Sequence, residues 1–452
     1  MAPGLYDSCM SRDVNPRTGP HPAEGLDVAP ADGDGRAAPM ADALPPGTPI
    51  VHLRSASYGS FIYQRMVGRV EGGPADGDLV AVVDRAGRVF GWGFYNSRSQ
   101  LALRMFTHQG EPPAKGEIAA RVRQAVELRR GLLGLEQRTD AYRLVHSEGD
   151  GLSGLVADRL GPYVVIELFS LAMFRRLEMI QDAFVDAGLD VRGFVVRADT
   201  TIMRQEGFRL DQVAQAKAGE TTITENGVRF HVDLQRGHKT GFFCDQRDNR
   251  LALAGLVGGK SVLDVCCYSG GFAIYAAALG RAAAVTGVDL DEAALALARR
   301  NAELNGLAVG GTAFPGRAAQ TGKSVPPVVE FRHGDAFDFL RQARQLRRQW
   351  DVVVLDPSKF VPSRDMLEPG LRKYADLNRL ACDAVAPGGL LLSCSCSGLV
   401  DQPTFVQTLA RAARAAGRSL QIFRVAGAGP DHPFLADAPE AAYLKAVWAR
   451  VL

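Results

Sequence analysis

The chain has 452 residues, 46% of them hydrophobic and 23% charged. That excludes a wholly disordered polypeptide and, at roughly 150 residues per domain, allows about three domains. The net charge of +2 divides into −4 over residues 1–49 (seven acids, three arginines) and +6 over the rest, a mildly basic balance compatible with RNA.

No stretch of about 18 apolar residues occurs, so no membrane span is expected. The seven cysteines lack a metal-type C-x-x-C pair, which argues against zinc and against a disulfide scaffold, and fits a reducing, cytoplasmic setting. Only eight of the 52 basic residues are lysines, so a retained lysine is informative; Lys239, Lys359 and Lys373 fall in the motifs below.

In chain order, residues 1–48 are rich in Pro, Gly, Ala and Asp and are expected to be a disordered tail. They lack the apolar core of a secretory signal, and their acids do not suit a mitochondrial presequence. Residues 49–112 carry short alternating runs such as Leu79–Val83, Val89–Tyr95 and Leu101–Phe106, separated by turn signals, and predict a small β-barrel. A helix is predicted over about Lys115–Leu133, with an apolar stripe of Ile118, Val122, Ala125, Val126 and Leu132. Its arginines, Arg121, Arg123, Arg129 and Arg130, read as a solvated face in preference to an RNA contact. Residues 113–225 as a whole predict a central α+β domain, with a strand at Tyr163–Leu168 and a helix at Ala172–Ala187.

From residue 226 to 452 strands and helices alternate. Strands are predicted at Ser261–Cys267, Ala284–Leu290, Val328–His333, Trp350–Asp356, Gly389–Cys396 and Leu420–Val425, with a closing apolar run at Ala441–Leu452. Repeated βα units imply a Rossmann-like doubly wound sheet with ligands at the carboxyl ends of its strands. Residues 308–327 read as a flexible insertion.

The first of these strands breaks into Tyr268-Ser269-Gly270-Gly271. Glycine there lets backbone approach a ligand and leaves helix N–H groups available. This is not G-x-G-x-x-G, so a dinucleotide pyrophosphate is poorly supported. Asp289 ends the second strand, where a carboxylate can accept from both ribose hydroxyls; Asp335 follows the third, in reach of an adenine amine. One glycine loop followed by two acids in this order fits S-adenosylmethionine better than NAD. The competing reading makes both acids helix N-caps.

The fourth strand ends in Asp356-Pro357-Ser358-Lys359-Phe360, a rigid loop beside the cofactor. The fifth ends in Ser393-Cys394-Ser395-Cys396-Ser397-Gly398, and period two places Cys394 and Cys396 on one face, with Cys396 nearer the active edge. A cysteine there can be core filling. Beside a methyl-donor site it has a chemical use. A pyrimidine C5 is too weak a nucleophile to take a methyl group until a thiolate adds at C6. On this reading Cys396 attacks, Asp356 holds or protonates N3 and the exocyclic amine, and Lys359 lies near the pyrimidine or the RNA phosphate.

The run Gly237 to Arg250 (GHKTGFFCDQRDNR) resembles the signature of the 23S ribosomal RNA (cytosine-C5) methyltransferases that carry an N-terminal PUA domain. The resemblance continues through Ser147–Leu155, Asp158-Arg159, Tyr268–Phe272, Asp289, Asp356-Pro357, Lys373–Asn378, Ser395–Leu399, Asp431-His432-Pro433 and Tyr443-Leu444-Lys445, and spans about residues 50–452. It implies a PUA barrel for RNA, a central α+β domain, a class I catalytic domain binding S-adenosylmethionine, ribosomal RNA as partner, and a homodimer. It also implies Cys396 as nucleophile, with Gln246 and Arg247 near the cofactor. Two departures stand out. Ser358 replaces the usual second proline, and Ser60–Gln64 replaces the usual Pro-Trp turn of the barrel. Ser358 also cannot release product as the second cysteine of other cytosine-C5 enzymes does. Three other readings stay open: an RNA base N-methyltransferase, which needs no thiolate; a non-catalytic RNA-binding assembly factor; and, last, an NAD dehydrogenase.

Overall fold

The computed structural model describes residues 39–452 apart from 57, 212, 236–239 and 311–327. The Gly237-His238-Lys239 part of the signature lies outside these residues.

Six short strands form the N-terminal sheet: β1 (Ile50–Leu53), β2 (Phe61–Tyr63), β3 (Val67–Glu71), β4 (Leu79–Val83), β5 (Val89–Tyr95) and β6 (Leu101–Thr107), in the order β2-β6-β5-β4-β1-β3. Val51 and Leu53 from one side of that order share a core with Ile62 from the other end, along with Val80, Val82, Phe90 and Leu103. Strands from both ends can meet in one core only if the sheet curls on itself, as the predicted barrel requires. The expected tail ends earlier than residue 48. Val89 N donates to Pro39 O (2.8 Å) and Ala41 N to Gly87 O (2.8 Å), so Pro39–Ala43 is tied to the barrel. Residues 1–38 lie outside the described residues.

The central sheet runs β10-β9-β8-β7, with β7 (Ala141–His146), β8 (Leu155–Leu160) and β9 (Tyr163–Leu168) antiparallel and β10 (Gly193–Arg197) parallel to β9. The expected Ala172–Ala187 helix is two helices, Leu171–Phe174 and Leu177–Asp186. At the break the Arg176 side chain donates to Ala172 O (2.9 Å), a helix-end carbonyl, and to Gly77 O in the barrel (3.0 Å), so one guanidinium caps the helix and ties it to the barrel.

The helix predicted over Lys115–Leu133 is Glu117–Glu127 followed by a π turn to Leu132. Its arginines are mostly not a solvated face. Arg129 is fully buried against Asp150; Arg121 donates to Phe106 O and Gly151 O; Arg130 donates to Ala187 O and Gly188 O. Carbonyls at neighbouring element ends, most of them part-buried, take the place of water for these guanidinium groups.

A hairpin unforeseen in the sequence, β11 (Glu220–Glu225) with β12 (Val228–Asp233), straddles the expected division at 225/226. Ile223, Val228, Phe230 and Val232 pack with Phe272 and Tyr275 of the next domain and share that core with Ala141, Leu160 and Val165 of the central one, so the hairpin bridges the two.

The catalytic sheet has eight strands in the order β15-β16-β14-β13-β17-β18-β20-β19. They are β13 (Ser261–Val265), β14 (Ala284–Asp289), β15 (Ala308–Val309), β16 (Val328–His333), β17 (Trp350–Leu355), β18 (Val385–Ser395), β19 (Leu420–Ala426) and β20 (Lys445–Val451). Only β20 runs against its neighbours. This is the Rossmann-like doubly wound sheet expected from the sequence. Ala308 and Val309, expected inside a flexible insertion, instead pair with Val328 and Val329. The five parallel strands β16-β14-β13-β17-β18 all present their carboxyl ends at one edge, and the order reverses beside β13, which is where an open α/β sheet leaves a crevice.

Candidate active site

A cleft of about 400 Å³ opens at that edge. Each of the five strands delivers a residue to it: Cys266 after β13, Asp289 at the end of β14, Asp335 after β16, Asp356 after β17 and Cys396 after β18. Tyr268, Ser269, Gly271, Gln246 and Lys359 also line it, so most of the expected site residues meet in one place.

The loop after β13 is held in an unusual shape. Cys266 and Tyr268 both have positive φ (64° and 48°), a conformation that costs a side-chain-bearing residue about 1 kcal/mol or more. Asp289 helps to hold it: Oδ2 accepts from Tyr268 N (2.8 Å) and Oδ1 from Asp291 N (2.9 Å). Asp289 is therefore not the N-cap; Asp291 is, accepting from Ala293 N and Ala294 N. Asp335 does cap its helix, through Phe337 N (2.9 Å) and Asp338 N (3.1 Å), and lines the cleft as well. Capping and a place in the cleft wall are compatible, because the cap uses one carboxylate oxygen, Oδ1. Asp264 pins the following helix from below, accepting from Ala273 N at 2.9 Å.

Two expected cofactor residues are placed otherwise. Gly270 is behind the wall, at φ 84°, where a Cβ would meet Ile274 Cδ1 at 3.0 Å and Ala298 Cβ at 3.2 Å. Arg247 does not reach the cleft. Its guanidinium is fully buried and bidentate to Asp431 (2.7 and 3.0 Å). Its neighbour Gln246 does reach the cleft and donates to Asp356 Oδ2 (3.0 Å), while Asn249 donates to Gln246 Oε1 (2.7 Å) and orients the amide.

Asp431 belongs to a buried seam between the central and catalytic domains. Burial would raise its carboxyl, but His432 and Arg247 hold it well below the usual range. It also accepts from Arg143 N (2.9 Å), and its own carbonyl accepts from Arg129, which is bidentate to Asp150. Asp158 completes the seam with Arg143 and Thr240. His432 is buried here, its ring 5.0 Å from that of His146.

Among the described residues the cleft walls carry five carboxylates (Asp245, Asp289, Asp291, Asp335, Asp356) against two cations, Arg250 and Lys359. Arg250 is already paired with Glu225 (2.9 Å). This field repels a pyrophosphate and favours a sulfonium with its hydroxyls and amine. Phe243 and Tyr268 meet edge to face at 5.2 Å, and Phe337 and Phe360 add apolar wall for a nucleoside. The residues present fit S-adenosylmethionine.

The cysteines differ sharply. Burial, and then the nearby aspartates, push the Cys266 and Cys267 thiols well above the ordinary range. Cys394 is fully buried and pushed up in the same way, and it does not line the cleft. Cys396 stands one residue beyond the end of β18, half-buried, with Sγ 4.0 Å from Pro357 O. Ser358 is exposed at the mouth.

Residues passed over in the sequence complete the site. Asp245 lines the cleft and accepts from the Tyr443 hydroxyl (2.5 Å). Tyr374, inside the Lys373–Asn378 motif, places its hydroxyl 3.0 Å from both Ser395 Oγ and Ser397 Oγ, flanking Cys396. Their motifs carried the signal; the partners are far apart in the chain. Lys373 itself is exposed.

The family described as S-adenosylmethionine-dependent methyltransferase matches residues 142–450, and the PUA-like domain matches residues 60–108. Ribosomal RNA large subunit methyltransferase I of Aeromonas salmonicida is 37% identical over 395 residues, 86% of this chain and 94% of that protein. The protein of the same name from Klebsiella pneumoniae is 36% identical over 399 residues, 87% and 94%. A solved S-adenosylmethionine-dependent methyltransferase from Streptococcus mutans shares the fold, with a TM-score of 0.70 at 18% identity over 89% of this chain and 99% of that one. The chain is an S-adenosylmethionine-dependent methyltransferase with an N-terminal PUA-like domain, and it belongs to the family of the ribosomal RNA large subunit methyltransferases I.

Proposed function

We propose that this chain methylates C5 of a cytosine in large-subunit ribosomal RNA, through a covalent bond between Cys396 and C6 of the base. The observation that carries the reading is the contrast among the cysteines at the cleft: Cys267 and Cys394 are buried, and of the two half-buried ones Cys266 is held as a thiol by its surroundings and the nearby aspartates, whereas Cys396 stands beside the Asp356-Pro357 loop with Sγ 4.0 Å from Pro357 O. The relatives' names support ribosomal RNA as the substrate, and the PUA-like domain supports an RNA contact.

In this reading the Cys396 thiolate adds to C6 and the electron pair moves to C5, which becomes enolate-like and nucleophilic. S-adenosylmethionine, when bound, supplies an electrophilic methyl group. Asp289 would take the ribose hydroxyls and Asp335 the adenine amine, with Tyr268, Ser269 and Gly271 lining the nucleoside side of the cleft. Asp356, oriented by Gln246, holds N3 and the exocyclic amine of the cytosine, and Lys359 lies at the pyrimidine or its phosphate. Loss of the C5 proton to a base then expels the thiolate. Most of the rate comes from alignment of the reacting carbons.

The test is methyl transfer from tritiated S-adenosylmethionine to unmodified 23S RNA by wild type, Cys396→Ala and Cys394→Ala, with nucleoside mass spectrometry of the product. The expected result is 5-methylcytidine from wild type and Cys394→Ala, and background from Cys396→Ala. Transfer that survives Cys396→Ala, or a product methylated on nitrogen, replaces this reading with an RNA base N-methyltransferase. RNA binding with no transfer to any RNA form replaces it with an assembly factor.

A further inference from the structure

Cys396 hangs in a turn whose two neighbours are clamped. Ser395 Oγ and Ser397 Oγ share the Tyr374 hydroxyl, and Val361 N donates to Ser397 Oγ at 3.2 Å. Beneath the turn lies Lys445. It pairs in register with Ser395 across β18 and β20 and is only 5% exposed. Its Nζ donates to Ser397 O (2.6 Å) and to Tyr443 O (2.8 Å). Burying an ammonium is costly, and two carbonyls return only part of that cost. In a chain that writes arginine for 44 of 52 basic residues (52 minus eight lysines), this expensive lysine calls for a use.

We propose that Lys445 is a positioning residue for Cys396: its clamped ammonium fixes the turn and supplies the positive charge that favours the ionised sulfur. The inference rests on the reading of Cys396 as nucleophile. The S–H bond breaks, the electron pair stays on sulfur and the proton passes to water; the nearby cation makes that state less costly. The other charged or titratable groups facing the pair are Asp401 and Lys359 toward Lys445, and Tyr374, Tyr443 and Cys394 toward Cys396. Burial lowers the Lys445 ammonium to about 8, with Cys396 and Asp401 pulling it back up. The charge is therefore present at neutral pH and lost above it.

The test is the pH dependence of Cys396 alkylation by iodoacetamide, read peptide by peptide by mass spectrometry in wild type, K445M and K445R. K445M is expected to move the midpoint up by about one pH unit, roughly a tenfold slower reaction at neutral pH, with K445R between the two. Coincident profiles for wild type and K445M overturn the proposal. If K445M does not fold, Cys396→Ser in protein labelled with ¹³C at lysine Cε answers the same question. Coupling within a charge pair is reciprocal, so the Lys445 titration is expected to fall when the thiol is removed, and no change overturns the proposal. Both readouts are independent of methyl transfer. Transfer that persists in Cys396→Ala therefore sinks the nucleophile reading separately from the pairing.

Discussion

The cleft and the domain seam are built from the same residue types, often from the same motifs, and they treat charge in opposite ways. In the seam Asp431, Arg247, Arg129 and Asp158 are fully buried in ion pairs, and Asp431 and Asp158 also tie the two domains together, through Arg143 N and Arg129 to Asp431 and through Thr240 to Asp158. In the cleft Asp289, Asp335 and Asp356 are half-buried, anchored at one edge and turned toward open volume. Gln246 and Arg247 are adjacent, yet one faces the cleft and the other the seam. A signature motif thus divides between chemistry and assembly, and burial with pairing separates the two.

The sharpest way to break that contrast is Asp431→Ala. It leaves Arg247 buried without its carboxylate, and a loss of about 3–5 kcal/mol is expected in denaturant unfolding. The double variant with Arg247→Met should recover part of it, because the cost lies in the orphaned charge. A smaller break is Gly149→Ala. An added Cβ would stand 2.0 Å from Pro433 O, so the central and catalytic domains must shift apart. A loss of about 1–3 kcal/mol is expected, of the order of other overpacking changes. Equal stability of Gly149→Ala and wild type would show that the seam is loose.

On the cleft side, Asp289→Ala should behave differently. Calorimetry with S-adenosylhomocysteine is expected to show roughly 10–100-fold weaker binding, as for loss of charged hydrogen bonds. Its unfolding free energy should change by far less than that of Asp431→Ala. A large stability loss with unchanged binding would erase the distinction.

The last effect is a slope. Burial pushes the Asp264 carboxyl up to about 8, with Asp356 and Asp289 adding to it against the Ala273 amide. A raised folded value means that its stabilising effect is complete below about pH 4 and fades as pH rises toward 8. Asp264→Asn removes that titration. Its stability relative to wild type should therefore climb between those pH values, by at most about 1.4 kcal/mol per pH unit, in parallel melts. A flat difference would mean that the carboxyl is ionised throughout.

Much of the fold was legible because it rests on local patterns. Tyr163–Leu168 and Val328–His333 are strands over those same residues, and the βα rhythm gave the catalytic sheet. What escaped was set by contacts distant in the chain. The β11–β12 hairpin has its apolar face covered by Phe272 and Tyr275, and Pro39–Ala43, compositionally a tail, is ordered by hydrogen bonds to Gly87 and Val89. The arginines after Glu117 looked solvated because their carbonyl partners lie on other elements. The cleft was legible at Asp289, Asp335, Asp356 and Cys396 because each sits at a strand's carboxyl end, a place that βα order marks in advance.

The sequence by itself determined the element order, the strand-end residues and the family, since periodicity, turn chemistry and motif spacing are properties of neighbouring residues. Only the tertiary structure decided what each polar side chain is for. It sent Arg247 into the seam, made Asp335 a cap and a wall at once, sealed Cys394 behind Cys396, and put Lys445 under the turn that carries that sulfur. The physical reason is that a charge takes its role from the burial around it and the partner opposite it, and both are supplied by residues tens to hundreds of positions away.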